Sequence, residues 1–287
     1  MFSVVIVTFN GEQFIKSCLD SVFAQGYPDF EVIVVDNGSN DGTVHLIRRD
    51  YPRVILVENK ENLGACRARN QGIEVGKGGW ILTLDCDVVL DKGFLSETAN
   101  KINYLSDRIG IIQPKIFSAD RKTIYSAGIS LSYLRRFHDI GKSKRDNKKF
   151  GRSKYVYGAS AAAAFYKRPM LEELRENTGY FDERFFFMVE DVDLAWRANR
   201  KGWKALFYPG AVCYHSGDSA KTDNKLRQYF CFRNRYYSII KNEGLAKYAA
   251  KIIPLFFYDF PRICFLSFTN HYLFRGRKLI RQAVRNK

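Results

Sequence analysis

The sequence predicts an α/β protein: a mostly parallel central sheet flanked by helices. Three observations carry this. Over the first hundred residues, short apolar runs rich in Val and Ile alternate with stretches of helical period. Polar groups follow four of those runs, at Thr8-Phe9-Asn10, Asp36, Asn62 and Asp85-Cys86-Asp87, at the strand ends where open parallel sheets bind ligands. And 287 residues, 46% of them hydrophobic, suffice for one sizeable core.

Taken in order, Val4 to Thr8 reads as the first strand. A helix follows from Glu12 to Phe23, with Phe14, Ile15, Cys18, Leu19, Val22 and Phe23 on one face. Glu31 to Val35 is the second strand, and Asp36 to Gly42 is a turn dense in capping residues. A helix from Thr43 to Arg49, a strand from Val54 to Val57 and a helix from Ala65 to Val75 come next. The fourth strand, Trp80 to Leu84, delivers Asp85 and Asp87, and Val88 to Gly93 reads as a turn. Beyond Gly110 the pattern is weaker. Ile111 to Gln113 reads as a strand, and Lys115 to Ser153 as short strands with a basic loop. Tyr155 to Tyr166 fits either a buried strand or a helix, and local pattern does not decide. Glu190 to Lys201 reads as a helix stopped by Gly202, followed by a strand from Trp203 to Tyr208 that leads to His215. Composition shifts near Gly217. The expected layout is a catalytic unit over 1–217, with halves 1–110 and 111–217, and a basic, aromatic-rich helical extension over 218–287.

The formal net charge is +16 and unevenly placed. From Leu226 to Lys287 thirteen Lys and Arg face only Glu243 and Asp259, and a second basic cluster runs from Arg135 to Lys154. Such patches attract polyanions: nucleic acid, anionic lipid or a diphosphate-bearing substrate. No nucleic-acid motif is present, so no nucleic-acid partner is expected. The six cysteines are scattered, without a Cys-x-x-Cys pair, as in a reducing compartment. Phe2 to Thr8 is too short for a secretory leader. Ile252 to Phe268 is apolar but holds Pro254, Asp259, Pro261 and Arg262, so it reads as an interfacial segment rather than a span. A peripheral position on the inner, cytoplasmic face of the cell membrane is expected.

Asp85 and Asp87 are the chemical centre of the sequence. Two carboxylates one residue apart at a strand's carboxyl end can share a hard divalent cation, Mg²⁺ or Mn²⁺, which also binds phosphate oxygens. The stretches Val4 to Asn10, Val34 to Thr43, Asn62-Leu63-Gly64, Ala68 to Gly72 and Leu84 to Asp87 add to this. So do Gly179 to Glu183, Glu190 to Asp193 and His215. In this order the chain resembles glycosyltransferase family 2, whose fold is GT-A. Phe186 to Leu194 resembles the rhamnosyltransferase-like branch.

The resemblance implies an inverting, metal-dependent hexosyltransferase of polysaccharide and cell-envelope synthesis. It would move a sugar from a dTDP- or UDP-linked donor, with dTDP-rhamnose first and a UDP-hexose second, to a surface glycan or polyprenyl-linked acceptor. Asp85, Asp87 and His215 would hold the metal, and Asp191 would be the general base, since a single displacement needs one carboxylate to take the acceptor's proton. Thr8, Asn10, Asp36, Asn62, Arg69 and Asp85 would bind the nucleotide sugar. Glu190 would meet the acceptor, and Asp193 and Arg197 would either meet it or be structural. Two rivals lie outside this class. A nucleotidyltransferase would release pyrophosphate instead of a nucleoside diphosphate. A catalytically inactive polyanion-binding protein would lose nothing on Asp191→Asn.

Overall fold

The computed structural model describes residues 1–217, 223–244 and 252–274. Its frame is a ten-stranded sheet in the order β10-β12-β6-β11-β4-β1-β2-β3, with β5 on β12 and β7 on β6. Here β1 is Phe2–Thr8, β2 Phe30–Asp36, β3 Ile55–Glu58, β4 Trp80–Asp85, β5 Val88–Leu90 and β6 Ile109–Ser118. The others are β7 Ile124–Ser126, β10 Lys154–Val156, β11 Ala163–Lys167 and β12 Lys204–His215. A separate hairpin pairs β8 (Ile129–Leu131) with β9 (Phe137–Asp139).

The amino-terminal half is parallel. β1 lies between β2 and β4, with Thr8 opposite Asp36 and Val7 opposite Asp85. Helices α1 (Glu12–Phe23), α2 (Thr43–Asp50) and α3 (Ala65–Val75) cross over between these strands. Buried Val4, Ile6, Val32 and Val34 face one side of the sheet and Val5, Ile33 and Val35 the other, each packed in its own core. Strands covered on both faces read as continuous apolar runs, which is why this half is plain in the sequence. α4 (Phe94–Ile102) was not expected; it seals one face with Phe94 and Leu95.

The second half is mixed. β11 runs antiparallel to both β4 and β6, which resolves the ambiguous stretch as strand. β12 is parallel to β6 and twice as long as the expected Trp203–Tyr208 strand, because a bulge between Tyr208 and Val212 absorbs Pro209-Gly210. Val88 to Leu90 is not a turn but β5, antiparallel to β12 with Val88 opposite His215. That pairing returns the end of β12 to the end of β4.

The carboxyl-terminal segment holds α7 (Asn224–Glu243) and α8 (Ile252–Thr269), after α5 (Arg168–Leu174) and α6 (Glu190–Arg200). α7 docks on the body of the fold. Lys241 Nζ lies 2.7 Å from Glu176, 2.9 Å from Asp182 and 3.0 Å from Asp193, and Arg135 pairs with Glu243. Burial opposes charge on Asp182, but Arg184 and Lys241 hold its carboxyl well below the usual carboxylate range. Among the described residues no helix is long and apolar enough to cross a membrane. Lys247, Lys251 and the basic residues from Arg275 to Lys287 lie outside the described residues.

Candidate active site

The carboxyl ends of β1, β3 and β4 open into a cavity of about 540 Å³. Asp85 lines it, and buried beside Asp85 stand Asp87 and His215, so that one ligand atom of each of the three lies within 4.8 Å of the others. His215 Nε2 is 3.1 Å from Asp87 Oδ1 and 3.9 Å from Asp85 Oδ2. Burial works against an imidazolium here, yet the Asp87 hydrogen bond and the charges of Asp87 and Asp85 raise its pKa above the ordinary histidine value. A proton between these groups stands where a cation would serve as well. Two carboxylates and one imidazole suit Mn²⁺ or Mg²⁺, and three protein donors leave coordination positions for phosphate oxygens. The site fits the metal. His215 is further fixed by the Tyr125 ring, edge-on at 4.3 Å.

Arg69 links Asp85 to the start of α6. It is buried, and its two terminal nitrogens donate to Asp85 Oδ1 at 2.9 Å and Glu190 Oε1 at 2.5 Å. Its charge is thus spent orienting two carboxylates. Next to Glu190, at the start of α6, stands Asp191. It is partly open to the cavity and accepts from the Ala161 and Val192 amides at 3.3 and 2.8 Å. Its pKa is pushed up to about 7: burial is the main cause, then the Glu190 and Asp139 charges, against the Ala161 amide and Arg69. A carboxylate with a pKa near neutrality is suited to take a proton from a hydroxyl.

On the other wall, Thr8 and Asn62 line the cavity. Asn62 accepts from Asn37 Nδ2 and the Gly64 amide, and Thr8 Oγ1 is buried without a hydrogen-bond partner. Asp36 and Asn10 do not line it. Asp36 is 2% exposed and accepts from Ser39 Oγ and from the Gly38 and Ser39 amides. Burial raises its pKa, and those bonds oppose the rise. Asn10, at φ 51°, accepts from the Asn40 amide. Both brace the Asp36–Gly42 turn that borders the cavity.

Asp193 and Arg197, for which the sequence left acceptor contact and a structural role open, face the interior. Asp193 is fully buried between Lys241, Asn242 and Arg197, and Arg197 donates to the Leu174 and Tyr180 carbonyls at 2.7 and 2.6 Å. They are structural. Two residues along a helix turn a side chain through about 200°, so Asp193 points away from the face that Asp191 presents.

Before Glu190 the backbone is strained. Phe186, Met188 and Val189 have φ of 69°, 67° and 73°, the left-handed region that costs a residue with a Cβ roughly 1–3 kcal/mol and is rarest for β-branched Val. Gly64, itself at φ +88°, lets this segment come close: a Cβ there would sit 2.6 Å from the Phe186 ring and 2.7 Å from its carbonyl oxygen. The cavity also draws on Tyr125 and Asp139 from the short strands β7 and β9, on Lys142 from the turn after β9, and on Leu226, Arg227 and Cys231 from α7. Four atoms around it are buried without a hydrogen-bond partner among the described residues: Thr8 Oγ1, Glu190 Oε2, His215 Nδ1 and Arg227 Nε. Buried polar atoms are ordinarily paired, so a ligand, ion or water has unused partners here.

The family model of "Glycosyl transferase family 2" matches residues 3–175, well over half of the chain. The chain belongs to glycosyl transferase family 2. It is 24% identical over 198 residues to glycosyltransferase GlyA of Streptococcus pneumoniae serotype 4, covering 66% of this chain and 28% of that protein. It is 24% identical over 216 residues to the poly-β-1,6-N-acetyl-D-glucosamine synthase of Staphylococcus aureus, covering 73% of this chain and 48% of the synthase. It thus spans half or less of the length of these relatives. Among solved structures, S. aureus TarS 1–349 superposes with TM-score 0.57 at 20% identity, covering 85% of this chain and 66% of that one. GalNAc-T7 with UDP, GalNAc and Mn²⁺ superposes with TM-score 0.60 at 17% identity, covering 75% and 44%. The fold of this family 2 glycosyltransferase is GT-A.

Proposed function

We propose that this family 2 enzyme is an inverting, metal-dependent transferase that builds a cell-surface glycan from a nucleoside diphosphate sugar. One observation carries the reading: Asp85, which belongs to the Asp85/Asp87/His215 cluster, and the half-buried Asp191 line a single cavity. Asp85, Asp87 and His215 would hold the cation, which when bound would supply screening of the charge on the departing diphosphate. Arg227, which makes no ion pair among the described residues, adds a cation for phosphate on the α7 wall. Asp191 takes the proton of the acceptor hydroxyl as that oxygen attacks the anomeric carbon. Arg69 keeps Asp85 and Glu190 in place and steadies the charges on both sides of the reacting bond.

The donor proposed is dTDP-rhamnose, on the likeness of Phe186 to Leu194 to the rhamnosyltransferase-like branch. UDP-hexose is the second reading, favoured by TarS, which has been solved with UDP and with UDP-GlcNAc. The acceptor proposed is a glycan carried on a polyprenyl lipid, with the enzyme resting on the inner face of the cell membrane. α8 supports that placement. It exposes Ile253, Phe256, Phe257, Phe260, Phe265 and Phe268, while Leu255, Asp259 and Leu266 are buried. The two acidic residues between Leu226 and Lys287 are withdrawn into ion pairs, Glu243 with Arg135 and Asp259 with Arg235 at 2.8 Å, so neither carboxylate opposes an anionic lipid surface. A panel of nucleotide sugars, turned over with Mn²⁺ and with chelator, tests the function. Release of a nucleoside diphosphate from one donor, lost in chelator, is expected; equal turnover in chelator, or release of pyrophosphate, overturns it.

A further inference from the structure

The segment that delivers the base is held from outside the region that defines the family. Asn234, on α7, is fully buried, and the two hydrogens of its Nδ2 are shared among three carbonyls of the strained segment: Phe185 at 3.0 Å, Phe187 at 2.9 Å and Met188 at 2.7 Å. Its Oδ1 accepts from Arg233 Nε at 2.8 Å, and Arg233 in turn donates to the Arg184 and Phe185 carbonyls at 2.6 and 3.2 Å. From the opposite side the Cys66 amide donates to the Phe186 carbonyl at 3.1 Å, where Gly64 permits the approach. The segment is therefore gripped between α3 and α7. Three non-glycine residues in left-handed conformations persist only where surroundings over-determine them, and the carbonyl grip of Asn234 is that determinant on the α7 side.

We infer that Asn234 is a positioning residue for catalysis: it locks residues 185–189 in the strained path that sets Asp191 at the cavity, and so makes α7 part of the active site. A buried amide used only to join α7 to the body had no need to reach three carbonyls of the one loop that leads to the base. Bulk attachment is supplied elsewhere on the same helix, by Lys241 and Glu243. The nucleotide wall, formed by Thr8 and Asn62 and the floor at Asp85, makes no contact with Asn234, so the two halves of the site separate in experiment.

The inference rests on the proposed role of Asp191, and its test has one arm that does not. In Asn234→Ala, kcat falls tenfold or more, while the donor KM and the UDP or dTDP affinity move less than threefold. Hydrogen exchange of the 185–191 amides quickens, and that of β1 and β4 stays as in the parent. Unchanged kcat with unchanged exchange at 185–191 overturns the inference, as does faster exchange spread evenly over the chain. Should Asn234→Ala not fold, Arg233→Met removes the neighbouring pair of carbonyl bonds: faster exchange confined to 184–191 with a several-fold lower kcat supports the grip, and parent-like values for both overturn it. If the parent enzyme turns over no nucleotide sugar, the reading of Asp191 fails while the exchange arm still decides whether Asn234 holds the segment.

Discussion

The imidazole of His215 lies 3.1 Å from the carboxylate of Asp87, across 128 positions of sequence. The pairing of β5 with β12 makes that contact, because Val88 stands directly opposite His215. Asp87 is therefore both a candidate metal ligand and the partner that orients a second one. Asp87→Ala is expected to lower Mn²⁺-dependent nucleotide affinity and turnover by roughly 100-fold or more. Calorimetry with UDP and dTDP, with and without Mn²⁺, checks it: the metal-dependent increment disappears and the metal-free affinity stays.

Asp191 gives two linked predictions. As the base it must be ionised, so kcat falls as pH drops through about 7, the value its surroundings impose. Asp191→Asn is expected to cut kcat by roughly 10²–10⁴-fold while leaving nucleotide affinity intact. The same raised pKa has a consequence for stability. The folded protein favours the neutral carboxyl, so folding stability is lost as pH rises from about 4 to about 7. Asp191→Asn removes that cost, and its thermal midpoint should exceed the parent's at pH 8 and match it below pH 4. Scanning calorimetry at both pH values tests the sign; a variant less stable at pH 8 contradicts it.

Lys241 tests whether α7 is an integral part of the enzyme. Its ammonium sits among Glu176, Asp182 and Asp193, the last two fully buried. Lys241→Met removes one of two cations from each of two buried carboxylates, with Arg184 staying on Asp182 and Arg197 on Asp193, at a cost of about 1–3 kcal/mol, which lowers the thermal midpoint by several degrees. Asp182 has its pKa depressed by Arg184 and Lys241 against the effect of burial. Its share of stability is therefore present above pH 4 and is lost as the carboxyl protonates below that. The gap between variant and parent should accordingly narrow below pH 4. A gap that is constant with pH would assign the loss to packing instead of charge.

The parts of this enzyme that could be read from sequence are those built by local alternation. β1 to β4 and α1 to α3 follow from period and turn chemistry, and they alone place Thr8, Asn62, Asp85 and Asp87 at one edge. His215 came into view through the family likeness, since nothing local distinguishes a histidine after a strand. β5 was hidden because three residues carry no period and its partner is more than a hundred residues away. Tyr125 and Asp139 lie in equally short strands. For Asp193 and Arg197 the sequence leaves a structural role and acceptor contact both open, and helix geometry turns them inward. Asp36 carries the wall by bracing its turn, a role that its sequence motif does not distinguish from ligand contact.

α8 provides the remaining prediction. Ile253, Phe256, Phe257 and Phe260 recur at helical spacing and are 69%, 54%, 73% and 51% exposed, and Phe268 is 92% exposed. A continuous aromatic stripe of this kind on an 18-residue helix is costly in water and favourable at a lipid interface. The surrounding chain is strongly basic, so the preferred surface is anionic, and attraction should weaken with salt. Burying each phenyl group is worth roughly 1.5–3 kcal/mol at most. The triple variant Phe256→Ser, Phe257→Ser, Phe260→Ser is thus expected to lose at least 100-fold in affinity for phosphatidylglycerol-containing vesicles, read by flotation at low and at 0.5 M salt. Nucleotide affinity should not change, because Asp259 and Leu255 keep the inner face of α8 on α7. Turnover of a water-soluble acceptor should also persist, while turnover of a vesicle-embedded one falls with binding. Equal flotation of parent and variant would move the membrane contact away from α8.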